Sequence, residues 1–159
     1  MQKLALLFGL VELAAGLSVR AQDVAAGCQG VNLEVIECAG KRADAFDRLQ
    51  DRIYHTVMDA LIAGGDDAVD PLAENGFGFL RGTLPKSQQQ WTKYRDAQCE
   101  VVSSLYAGAS GAAVFQTQCQ YELTRERIKF LRHMMDVIRD ESKLCKTDKA
   151  KCALPPDPA

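Results

Sequence analysis

The chain has 159 residues, 47% of them hydrophobic and 25% charged, with a formal net charge of −2 and six cysteines. That length fits one domain with a modest core, and so many cysteines point to covalent reinforcement. The near-balanced charge excludes the basic stripe that nucleic-acid binding uses, and nothing after the N-terminus has the apolar length of a membrane span.

Residues 1–21 read as a secretory signal peptide. Lys3 opens a short basic region, Leu4 to Val19 is mostly apolar, and Val19-Arg20-Ala21 places small residues at the cleavage positions. Cleavage after Ala21 leaves 17 basic and 20 acidic residues, a charge of −3. Ala25-Ala26-Gly27-Cys28 resembles a lipoprotein cleavage box. Arg20, Gln22 and Asp23 separate it from the apolar run, so soluble export to the periplasm or beyond is the reading taken. Residues 22–152 then form one helical domain, and 153–159 a proline-rich tail.

An oxidising destination makes the cysteines a disulfide framework rather than a metal site. Sequence leaves the pairing open, and the expectation adopted is sequential and local: Cys28–Cys38, Cys99–Cys119 and Cys145–Cys152. No Cys-x-x-Cys pair supports a thioredoxin-like redox role.

From Asn32 to Ile62, Val35, Ala39, Ala43, Phe46, Leu49 or Gln50, Ile53, Val57 and Leu61 recur at helical spacing. This predicts a long first helix, N-capped by Asn32 and ended by Gly64-Gly65. Lys41, Arg42, Asp44, Arg48, Asp51 and Arg52 form its polar face. The stretch from Asp66 to Gly82 has the weakest pattern, and a connection of that length inside a small domain is functional or mobile. Thr83 is the expected cap of the second helix, with Pro85 in its first turn.

Trp91, Tyr94 or Arg95, Gln98, Val102 and Leu105 continue that helix. Gly108, Ser110 and Gly111 supply a turn. Tyr121, Thr124 or Arg125, Ile128, Leu131, Met135 and Ile138 mark a third helix from about Ala112 to the region of Leu144. So short a break predicts an antiparallel hairpin that brings Cys99 and Cys119 to the same height. The fold class is all-α: a small disulfide-stapled helical bundle with an antiparallel helical hairpin and a long first helix.

Trp91, the single tryptophan, reads as a core anchor. Arg95-Asp96 and Arg127 lie on or near the buried side of the hairpin and predict an interhelical charge network with Glu122 or Glu126. His55 and His133 have no second ligand at metal spacing. Ser87, Ser103, Ser104, Ser110 and Ser142 lack a nucleophile elbow, and the carboxylates assemble no acid–base pair. The residues point to neither a catalytic site nor a cofactor.

The hairpin resembles the LprI-type lysozyme inhibitor domain family of small exported bacterial proteins. The resemblance rests on Leu84, Ser87-Gln88, Trp91, Tyr94-Arg95-Asp96 and Cys99, then on Gly108 to Gly111, Cys119, Thr124, Arg127 and Leu131. Cys28 and Cys38, with Glu34 or Glu37 between them, resemble the family's paired N-terminal cysteines. Where the family often carries an aspartate and a Leu-Asn pair on its first helix, this chain has Phe46 and Leu49-Gln50. The resemblance implies an exported binder that protects the envelope by inhibiting lysozyme. Lysozymes of the common type are strongly basic, which an acidic surface suits, and the expected contact segment is Asp66, Asp67, Asp70 and Glu74 with Phe77 and Phe79 as apolar anchors. The alternative is a periplasmic accessory domain that binds another envelope component.

Overall fold

A computed structural model describes residues 24–30, 32–63, 77–108 and 112–158. These residues form α1 (Asn32–Ala63), α2 (Phe77–Leu105), α3 (Ala112–Glu141) and α4 (Lys143–Thr147), followed by a short 3-10 helix (Lys149–Cys152). Among the described residues there is no strand. The signal segment, Gly64-Gly65 and Asp66 to Glu74 lie outside the described residues, as do Ser110 and Gly111.

The apolar spacing explains the packing. On α1, Leu49, Ile53, Val57, Ala60 and Leu61 are buried; on α3, Ile128, Leu131, Met135 and Ile138 are buried, and the two rows form one core. Repeats of three and four place each row along a single helix face, so two such faces close on each other. A second, smaller cluster joins Val24, Ala39, Ala43 and Tyr121, with Phe46 packed against it. Phe46 and Tyr121 meet edge to face, their ring centroids 4.9 Å apart.

The segment before α1 is tied down at three points. The Val24 N–H donates to Gln118 Oε1 at 3.0 Å, and Arg42 Nη1 donates to the Ala26 carbonyl at 2.7 Å. The Cys28–Cys38 disulfide is the third.

Helix α2 begins earlier than expected. Thr83 lies inside the helix, where its hydroxyl donates to the Phe79 carbonyl, and Pro85 is internal too. A mid-helix proline removes one backbone bond and costs about 3 kcal/mol. Leu84 is buried in the main core and Leu80 packs against it one turn earlier, so burial carries the helix back to Phe77. The connection is correspondingly shorter than the Asp66–Gly82 span, because Phe77 to Gly82 are helical.

At its far end α2 turns back through Gly108, whose φ of +91° favours glycine. The hairpin is antiparallel, and the Cys99–Cys119 disulfide spans it with a Cα separation of 5.5 Å. Tyr106 stacks on Phe115 across the same end at 3.8 Å. The predicted inward face of α2 fades here: Leu105 is 76% exposed, and Gln98 is also exposed.

Helix α3 stops at Glu141, before the expected region of Leu144. Ser142 is extended, and the chain restarts as α4. That break turns Cys145 into the core and lets it bond Cys152. The chain beyond returns over the bundle: Leu154 packs on the core and Asp157 accepts from Arg132 at 2.8 Å.

Candidate functional site

The sequence-predicted motif residues meet in one place, where α2 lies across α1 and α3. Ser87, Gln88, Trp91 and Arg95 share a face of α2 by their helical spacing. Thr124 and Arg127 face them from α3, and Asp47 and Gln50 from α1.

Asp47 is the hub. One of its oxygens accepts from Arg95 Nη1 at 2.9 Å and from the Thr124 hydroxyl at 2.8 Å, which joins all three long helices. Arg95 Nε donates to Asp96 at 3.0 Å, so its guanidinium bridges two carboxylates. A second chain of bonds runs beside this one. Arg127 Nε donates to Gln88 Oε1 at 3.1 Å, Gln88 Nε2 donates to Gln50 Oε1 at 3.1 Å, and Arg127 Nη2 reaches the Ser87 hydroxyl at 3.4 Å.

Trp91 stands between the two arginines. Its ring lies 5.1 Å from the Arg95 guanidinium carbon and 5.7 Å from that of Arg127. The expectation of a core anchor is therefore corrected: Trp91 is half-buried and serves as a cation–π spacer. Arg127 also covers Phe130 at 5.0 Å. Burial pushes the Arg127 guanidinium below its ordinary value. Arginine starts so high that it remains a cation at neutral pH.

The structure gives Glu122 and Glu126 partners within α3 in place of the expected interhelical ones. Glu122 accepts from Gln118 at 2.5 Å and Glu126 from Lys129 at 2.6 Å, both within α3. The interhelical carboxylate is Asp47, next to Phe46 and three residues before Gln50. Its position four residues after Ala43 and three before Gln50 put a lone acid on the apolar face of α1, a signal present in the sequence.

Chemically, this is a clasp. Its two arginines are held by fixed acceptors and an aromatic ring. Gln50 Nε2 is buried without a hydrogen-bond partner among the described residues. Among the described residues no three potential metal ligands cluster, and no helix is long and apolar enough to cross a membrane.

Of the expected contact segment, Phe77 is the first residue of α2 and Phe79 lies in the first turn, 59% exposed. Asp66, Asp67, Asp70 and Glu74 lie outside the described residues.

The sequence model of the lysozyme inhibitor LprI family matches residues 25–131. That span holds the whole clasp and the two disulfides Cys28–Cys38 and Cys99–Cys119; the Cys145–Cys152 loop falls beyond it. An uncharacterized protein of Rhizobium meliloti (strain 1021) is 29% identical over 99 residues, which cover 62% of this chain and 70% of that protein. No solved structure matches the chain. With a match over two thirds of its length, and with the matched residues forming its three-helix clasp, the chain belongs to the LprI lysozyme inhibitor family.

Proposed function

We propose that this protein is an exported lysozyme inhibitor, a binding protein rather than an enzyme, which protects the cell envelope by engaging lysozyme in the periplasm or outside the cell. The observation that carries the proposal is the family match over residues 25–131. The clasp supports it, because groups locked to one another hold a frame and leave the outer surface to do the binding. The charge of −3 after removal of residues 1–21 favours a basic partner and predicts association that slows as salt rises. Phe79, exposed at the start of α2, is the proposed apolar anchor, with Phe77 and the acids Asp66, Asp67, Asp70 and Glu74 beside it in sequence.

The test is turbidity of bacterial cell walls under lysozyme with purified mature protein. Slowed clearing at stoichiometric ratios, relieved by salt, is the expected result. Unchanged lysis at several-fold excess in low salt overturns the proposal. The contact segment is tested separately: Phe79→Ala should weaken inhibition without changing the melting temperature.

A second reading, an accessory domain docked on another envelope protein, is favoured by one feature. Tyr94, Val101 and Leu105, exposed by 56%, 57% and 76%, line one face of α2 at spacings of seven and four. A pull-down from envelope extract that returns one dominant non-lysozyme partner, lost in Val101→Asp/Leu105→Asp, would favour it.

A further inference from the structure

The C-terminal segment beyond the family match builds a pocket of its own. Its volume is about 440 Å³, in the space between the end of α3, α4 and the 3-10 helix. Cys145 and Cys152 lie buried beneath this space, and the exposed Ala153 is its accessible apolar floor. Arg139, Lys146 and Lys149 line the same space, with Asp140 as the one carboxylate. The lining therefore carries a surplus of two positive charges in a chain whose net charge is −2.

The walls are held by bonds, not by the ligand. Arg139 Nε and Nη2 both donate to the Cys152 carbonyl, at 2.9 and 2.7 Å, and Nη1 donates to Asp136 at 2.9 Å. The Cys145–Cys152 disulfide closes the intervening loop. Arg139 thus fixes one wall and contributes field, while Lys146 and Lys149 sit exposed at the rim on long stems that can reach a guest. An apolar floor under a cationic rim is complementary to a molecule with the opposite polarity at one end and no polarity at the other.

We propose that this pocket binds a small amphipathic anion: a single anionic headgroup held by Lys146 and Lys149, on a short alkyl body lying over Ala153. The charge suits a monoanion, because Arg139 is already paired with Asp136, which leaves Lys146 and Lys149 against Asp140. None of the residues lining this pocket belongs to the clasp.

The experiment uses the full mature chain with its disulfides intact. Sodium octanoate is titrated against ¹⁵N-labelled protein, with 1-octanol as the uncharged control. Octanoate should shift the amides of Lys146, Lys149 and Cys152 saturably, and octanol should do so at least about fivefold more weakly. Lys146→Glu/Lys149→Glu should weaken octanoate about tenfold, and Lys146→Gln/Lys149→Gln should weaken it less, in the same direction. Co-sedimentation with phosphatidylglycerol vesicles against phosphatidylcholine vesicles identifies the source of the anion. Octanoate binding without sedimentation means a free amphipathic anion, and phosphatidylglycerol-dependent sedimentation that the charge-reversed variant loses means a lipid. Equal affinity for octanol, indifference to both lysine variants, or neither shifts nor sedimentation overturns the proposal.

Discussion

The contact between α1 and α3 and the contact that holds α2 are built from different materials. The first is apolar: Leu49, Ile53, Val57, Leu131, Met135 and Ile138 are all fully buried, and dispersion with the hydrophobic effect holds the two helices. The second has little of this. Helix α2 gives Leu84 to the core and adds Leu80 at its edge, and beyond these it is held by Arg95, Gln88, Trp91 and a disulfide at Cys99. Polar and covalent links are directional, so they fix the register of a helix whose apolar face is too thin to do so. A binding surface carried on α2 is then placed by geometry rather than by burial.

The largest effect should come from the apolar contact. Leu131→Ala, at a fully buried position, should cost about 3 kcal/mol by loss of transfer energy plus a cavity. Urea unfolding monitored by circular dichroism measures it, and the transition should stay cooperative, because α1 and α3 unfold together.

Removing the covalent link should be nearly as costly but differently distributed. Cys99→Ala/Cys119→Ala opens a loop with a sequence separation of 20 and should lose about 3 kcal/mol in the chain-entropy model. Native-state hydrogen exchange should show α2 losing protection ahead of α1 and α3. Uniform loss across all three helices would break the contrast between the two contacts.

The clasp comes next. Asp47→Ala removes the acceptor of Arg95 and Thr124 and leaves a mostly buried guanidinium with Asp96 as its remaining carboxylate and a long contact to the Thr124 hydroxyl, a loss of about 2 kcal/mol. Thr124→Val removes one of those donors and should cost less. A double-mutant cycle between Asp47→Ala and Thr124→Val should give a coupling of about 1 kcal/mol, and additivity would show that the hub is not shared.

The smallest effect lies on the surface of α1. The hydrogen bond from Lys41, followed by its charge, holds the Glu37 carboxyl below the usual carboxylate range. A carboxyl with its pKa lowered by folding stabilises above the unfolded value, and that contribution is lost as pH falls through the folded value. The pair is exposed to solvent, so Glu37→Gln should leave the neutral-pH melting temperature unchanged within error and flatten the acid limb only slightly.

Much of this arrangement is legible in the residues. Periodicity finds the core face of α1 and α3 residue by residue, from Ala39 to Leu61 and from Tyr121 to Ile138, because burial along one face leaves a repeat that spacing records directly. The cysteine positions likewise place Cys99 and Cys119 across a hairpin. Local rules mislead at Thr83 and Pro85, where a cap and a breaker suggest a helix start. Leu80 and Leu84 decide otherwise by packing on the core.

Which polar group meets which is another matter. The sequence by itself determined three amphipathic helices, since each follows from spacing within one segment, and it made local cysteine pairs the expectation. Only the tertiary structure decided that Asp47, rather than Glu122 or Glu126, takes Arg95, that Trp91 lies between two cations, and that Arg139 holds a cationic pocket over the last disulfide. Those outcomes depend on the rotation of one helix against another, and that is set by the whole packed interface and by no single stretch of chain.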